Sequence, residues 1–193
     1  MSAPVLTKSF SEPPISKKEI LRYAGCREAD GNIEALIAES VEEARKVLSY
    51  KVCCRELSAE ELAPFLQRSR DLSKNLAGSD GAILFAATVG VGIDRLIAKY
   101  GIISPAKALI MQAIGAERIE ALCNEFCGSL SSELGVLAMP RFSAGYGDLP
   151  IEAQRDIFDI LDCPRKLGLT LNEGLIMSPA KSVTAFVGFR KNF

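Results

Sequence analysis

No histidine occurs among the 193 residues. That absence removes Ser-His-Asp and Cys-His catalysis, and it removes the commonest side-chain ligand of zinc and iron. Tryptophan is absent too, and aromatic residues make up only 7% of the chain, which leaves little for stacking on bases. Neither sign of charge is in excess. The 23 basic and 24 acidic residues leave a net charge of −1, so no field is available to hold a nucleic-acid backbone. No run of about 18 apolar residues is present to cross a membrane as a helix. The opening stretch, MSAPVLTKSFSEPPISKKE, has no apolar core of the kind a secretory signal needs. A cytoplasmic, reducing location is therefore expected. There the six cysteines (Cys26, Cys53, Cys54, Cys123, Cys127 and Cys163) should be thiols. No CxxC pair exists. Cys123 and Cys127 share a helix face at i, i+4 but lack further ligands at tight spacing, so the cysteines read as small buried hydrophobes.

What is present is apolar: 48% of the residues are hydrophobic, enough for a core without a metal or disulfide staple. Residues 1–15, rich in Ser and Pro, read as an extended arm, and residues 16–193 as one domain. Ser16 and Glu19 have capping-box spacing ahead of a short helix ending at Gly25. Asp30 is placed to cap an amphipathic helix reaching about Leu48, and Tyr50–Leu57 reads as a strand. Ser58–Leu76 is helical, with a division expected near Pro64. Ala82–Val89 is a continuous apolar run, the mark of a buried central strand. Gly90-Val91-Gly92 then leads into a helix. Ser104-Pro105 announces another, expected to change packing near Gly115 and to stop at Gly128. Val136–Met139 reads as a strand and Pro150–Leu161 as a helix. Leu171–Met177 and Ser182–Phe189 read as an antiparallel pair turning at Ser178–Lys181. The fold class expected is α+β, a mixed or antiparallel twisted sheet of about five strands with several flanking helices.

Two segments carry residues suited to chemistry. Gly90-x-Gly92 sits between a buried strand and a helix, but Arg95 stands where the third glycine of a dinucleotide fingerprint would be, so a tight packing turn is the favoured reading. The second segment, RFSAGYGD from Arg141 to Asp148, sets a guanidinium beside two glycines and a tyrosine just after a strand. Arginine grips carboxylates with paired hydrogen bonds, glycine lets a main chain approach a ligand, and tyrosine offers a flat face and a hydroxyl. An amino-acid-like ligand bearing a planar base would suit that set. On these residues alone, a surface loop with a structural arginine is the favoured reading.

RFSAGYGD, the helix after it, and then LDCPRKLGLTLNEGLIMSPAKSVTAFVGF resemble the S-adenosylmethionine-binding reactivation domain of cobalamin-dependent methionine synthase. That family shows Arg-Pro-x-Pro-Gly-Tyr, a helix, a Gly-x-x-Leu-Thr-Glu run, Met-x-Pro, and Ser-Val-Ser/Thr before the last strand. The resemblance is specific over the C-terminal third and weak before about residue 80. It implies S-adenosylmethionine as cofactor, with Arg141 on its carboxylate and Ser143, Ala144, Gly145 and Tyr146 lining the amino-acid and adenosine end. Glu120 or Glu125, on the preceding long helix, would be the family's carboxylate. It also implies partners. Cobalamin would be carried by a separate methionine synthase or corrinoid protein, served in trans, with a flavodoxin-like electron donor. Having no histidine, this chain supplies no cobalt ligand and needs no general base. Two departures stand out: the family's loop prolines are Phe142 and Ala144 here, and its extension with further tyrosines past the last strand has no counterpart. They leave open a different class of protein, a binding or structural one that keeps the fold with another ligand or none. An ordinary free-standing methyltransferase is disfavoured by the incomplete glycine motif.

Overall fold

The computed structural model describes residues 3–191. In chain order the elements are β1 (Leu6–Phe10), α1 (Lys17–Tyr23), α2 (Gly31–Arg45), β2 (Tyr50–Leu57), α3 (Ala59–Arg68), α4 (Arg70–Asn75) and β3 (Gly81–Thr88). There follow α5 (Gly92–Ile103), α6 (Pro105–Leu134), β4 (Val136–Ala138), α7 (Ala153–Leu161), α8 (Cys163–Leu167), β5 (Thr170–Leu171), β6 (Met177–Ser178) and β7 (Ser182–Lys191). The fold is α+β, with a five-stranded antiparallel sheet in the order β1-β2-β3-β7-β4.

Caps set several boundaries where the sequence places them. Asp30 accepts from the N–H groups of Asn32 and Ile33 at 3.0 and 2.8 Å, satisfying donors that α2 cannot pair itself. Ser58 and Glu61 form a complete capping box on α3. Ser16 accepts from Glu19 N–H, but the reciprocal bond comes from elsewhere. The Ser16 N–H donates to Glu117 of α6, while the Glu19 carboxylate turns to Arg22. At Ser104 the side chain makes no capping bond, and Pro105 alone marks the start of α6.

Other boundaries differ from the sequence reading. The leading segment includes a strand, β1, paired with β2 from Leu6↔Cys54 to Phe10↔Tyr50. Pro64 lies inside α3, and the division falls at Ser69, whose backbone is extended and whose hydroxyl caps α4 by accepting from the Leu72 N–H at 2.9 Å. Proline removes one helical hydrogen bond, and here the partner carbonyl belongs to exposed Glu60, where water can meet it. The long helix α6 passes through Gly128 and ends only at Gly135, in the left-handed region at φ 63°. Burial of Phe126 and Leu130 on either side outweighs the modest helix cost of one glycine, about 1 kcal/mol.

The largest difference concerns the last strand. A local hairpin forms, but only between Thr170–Leu171 and Met177–Ser178. Ser182–Phe189 pairs instead with β3, from Gly81↔Phe189 to Thr88↔Ser182. The reason lies in the residues of β7. Ala185, Val187 and Phe189 belong to one core and Phe186 to another. A strand apolar on both faces must be covered on both, and only the middle of the sheet offers that. One core packs this sheet face against α1, α2, α5 and α6; the other packs the opposite face against α3, α4, α7 and Phe142.

Candidate functional site

The loop after β4 is pinned to the sheet at its second residue. Phe142 exchanges main-chain hydrogen bonds with Phe186 at 2.9 and 2.8 Å and buries its ring. Beyond it the chain folds into a tight turn. Tyr146 N–H donates to the Ser143 carbonyl, Leu149 N–H to the Tyr146 carbonyl, and Gly145 N–H to the Leu149 carbonyl. Gly145 sits at φ 81°, and a side chain there would press on Ile151. Asp148 anchors the far end. It accepts from the Ser69 hydroxyl and from the N–H groups of Arg70 and Asp71, at the start of α4. Those bonds, the Ser69 hydroxyl first, hold its carboxyl below the ordinary range. The loop is thus fixed by hydrogen bonds, one pair of them at Phe142, where the resembled family has a proline.

Arg141 sends its side chain to α6. Its Nη2 donates to Glu120 Oε2 at 2.9 Å. Its Nη1 is buried with no hydrogen-bond partner. Cys123 and Cys127, one turn apart on α6, stand next to the guanidinium. Burial pushes the Cys123 thiol up to about 12 and raises Cys127 as well, so both stay neutral and neither balances the arginine's charge. Of the two glutamates considered, Glu120 meets Arg141. Glu125 has no ion pair among the described residues and faces a groove of about 710 Å³ between α1 and α6. Glu120 borders that groove as well, as does Glu117.

The remaining loop residues divide. Ser143 and Ala144 line a recess of about 300 Å³ with Ile151 and Gln154 of the next segment and Met177 and Thr184 of the C-terminal strands. Tyr146 is 71% exposed and stands edge-on to Phe142, ring centroids 5.8 Å apart. The structure therefore brings Arg141 and Glu120 together, sets Ser143 and Ala144 at a recess, gives Gly145 the turn, and leaves Glu125 apart from the loop. Gln154 and Thr184 do not figure in the sequence reading. The signal for Gln154 was a polar residue in the stripe Gln154, Ile157, Phe158, Leu161, all of which are buried.

The Gly90-x-Gly92 segment is a packing turn. Gly90 takes φ 85°, and a side chain at Gly92 would collide with the Val47 main chain. Asp94, in the first turn of α5, accepts from Ala180 N–H at 2.7 Å. Among the described residues no group of three or more Cys, Asp or Glu is arranged to hold a metal ion, and no helix is long and apolar enough to cross a membrane.

These features define a protein with an antiparallel sheet, a helical layer on each face and an arginine-bearing loop beside its last strand. The fold is that of a known structure. The chain is similar to the MetH reactivation domain bound to AdoHcy, with a TM-score of 0.62, 14% identity, and a match covering 97% of this chain and 78% of that one. At that identity the likeness shows the fold. No protein-family model and no curated protein matches the sequence.

Proposed function

We propose that this protein binds S-adenosylmethionine and serves as the reactivation component for the cobalamin of a separate methionine synthase or related corrinoid methyltransferase. The observation that carries the reading is the Arg141–Glu120 pair, at the loop that follows β4 in a reactivation-domain fold. A neighbouring domain of that fold holds AdoHcy, the demethylated form of the donor. An amino-acid head group carries a carboxylate and an ammonium side by side. Arg141 and Glu120 are the complementary charges at hydrogen-bond distance, so a zwitterion can replace their mutual bond with one bond to each.

In this role the chain positions a methyl donor and performs no proton transfer, which suits a sequence without histidine. The partner's corrinoid supplies the nucleophile, and a flavodoxin-like protein supplies the electron. A second reading, a binding protein with a different ligand, draws support from the same pair, because Glu120 already occupies one edge of Arg141. Calorimetric titration of S-adenosylmethionine into wild type and Arg141→Ala separates the two. Binding that the substitution weakens by roughly 10- to 100-fold is the expected result. A folded wild type that binds no S-adenosylmethionine, alone or with a corrinoid methyltransferase, would sink the proposal.

A further inference from the structure

At the end of β3, three residues stand in a row across neighbouring strands. Lys51 of β2 is opposite Thr88, and Thr88 is opposite Ser182 of β7. Residues directly opposite in an antiparallel pair share a sheet face. Here it is the face packed against α3, α4 and α7, because Cys53 and Ala86, two positions along their strands, belong to that core. The row ends in a fixed polar floor. Thr88 is 2% exposed, and its hydroxyl and that of Ser182 bond each other at 2.8 Å. Gly90 N–H donates to the Thr88 hydroxyl at 3.1 Å, and the Ser182 hydroxyl bonds the Pro179 carbonyl at 2.8 Å.

Thr88 forms part of a recess of about 290 Å³. Lys51, Ser49, Thr170 and Ser178 line it, and none of these four side chains has a hydrogen bond or ion pair among the described residues. Gly90 and Gly168 line it as well, at φ 85° and 69°, and leave their main chain bare. No carboxylate lines the recess. Asp94 reaches the adjoining turn from α5, but it is taken up by Ala180 N–H at 2.7 Å. Lys166 strengthens the positive side, since its charge acts on Cys53, the next residue of β2 on the same face as Lys51. The groove between α1 and α6 has the opposite character, with four glutamates and one arginine along it.

We infer that this recess binds a phosphate group, with the Lys51 ammonium as its charge partner and the hydroxyls of Ser49, Thr170 and Ser178 as donors. A phosphate presents several acceptor oxygens around one centre of negative charge. Lysine meets such a group as a point charge, and hydroxyls rotate to suit it. Donors drawn from β2, from the segment after α8 and from the local hairpin surround the space without a competing acid. The volume lies near the lower limit of small-molecule sites, about 300 Å³, which is room for a phosphate and a short organic tail. The inference is independent of the S-adenosylmethionine reading, because that ligand carries no phosphate and none of these residues belongs to the Arg141 loop.

The test follows the Gly90 and Gly168 amide resonances of the full chain while inorganic phosphate or glycerol 3-phosphate is added, with sodium chloride at matched ionic strength as the reference. Both phosphates should give saturable shifts that chloride does not. Lys51→Met should weaken each by roughly tenfold or more, the loss expected for one charge-assisted contact. Thr170→Val keeps the shape of the side chain and should weaken them by about 2- to 10-fold, as for one neutral hydrogen bond. Both positions are exposed, so the fold tolerates either change, and the remaining resonances report it. Arg141→Ala should leave phosphate binding as in wild type. Tighter binding of glycerol 3-phosphate makes a phosphomonoester the occupant and equal affinities make it free phosphate; either upholds the site. Shifts that chloride reproduces, shifts that never saturate, or wild-type affinity in Lys51→Met overturns it.

Discussion

Arg118 and Arg141 each pair with a glutamate of α6, yet their surroundings differ. Arg118 is 1% exposed, and every arm of its guanidinium is engaged. Nε and Nη2 donate to Glu117, Nη1 donates to the Pro13 carbonyl at 2.6 Å, and Nη2 also donates to the Pro14 carbonyl at 2.8 Å. Glu117 in turn accepts from Ser16 N–H at 3.0 Å. That group of contacts closes on itself and fastens the leading segment to α6. Arg141 makes one bond to Glu120 and keeps a buried donor free. A buried charge with all its hydrogen bonds made has a structural account. One left partly unmet is suited to a ligand. The comparison separates a fully engaged arginine from one with a donor to spare.

Substituting Arg118 should break the comparison most forcefully. Arg118→Met leaves Glu117 buried without its main partner, and urea unfolding should show a loss of about 3–5 kcal/mol. Whatever fraction stays folded should keep its affinity for S-adenosylmethionine. Arg141→Ala should do the opposite. It should cost less than about 1 kcal/mol of stability, as half-exposed pairs do, while removing charge-assisted bonds worth about 1.5–3 kcal/mol to a bound carboxylate. The isotherm should then shift by roughly 10- to 100-fold, read by calorimetry alongside the melting curve. Loss of both stability and binding in either variant would erase the distinction.

A smaller effect is expected at Ser69, which caps α4 and also donates to Asp148 at the end of the loop. Ser69→Ala should lower stability by about 1 kcal/mol and loosen the loop, seen as faster amide exchange at Gly145 and Leu149. A last comparison is read in pH and belongs to Glu43. Tyr100 and then Lys107 donate to it and bring its carboxyl down to about 2, from an ordinary value near 4.5. A carboxyl depressed on folding stabilises above its ordinary value and loses that contribution as pH falls toward the folded one. Wild type should therefore lose thermal stability between about pH 4.5 and 2 more steeply than Glu43→Gln, as followed by circular dichroism melts across that range.

Local chemistry made part of this molecule legible in advance. Asp30 and the Ser58–Glu61 pair act through neighbours two or three residues away, so their spacing suffices to place α2 and α3. Ala82–Val89 declares itself by having no polar face, and β3 lies in the sheet interior. The failures are tertiary. Ser16 finds its reciprocal partner in Glu117, which is 101 residues distant. Gly128 does not end α6, because the residues around it are buried by other elements. β1 carries an edge-strand pattern too polar to stand out from a loop. The loop at Arg141 was legible through resemblance, whereas the contact of its guanidinium with Glu120 is visible only in the packing. Gln154 and Thr184 escaped because each lies in an element read as ordinary core, and what sets them apart is a hydrogen bond that exists only once helix and sheet meet.

The position of β7 has a kinetic consequence. The strand nearest the end of the described chain lies between β3 and β4, and it walls both cores. Its pairing with β3 joins residues about a hundred positions apart, from Thr88↔Ser182 to Gly81↔Phe189. Contacts of such long separation raise the loop-closure cost met before folding is rewarded, and chains built around them fold slowly. Until β7 docks, β3 has one free edge and neither apolar layer is closed. A chain shortened before Ser182 should therefore stay collapsed but unsettled, exposing apolar surface to dyes such as ANS instead of populating a smaller native domain.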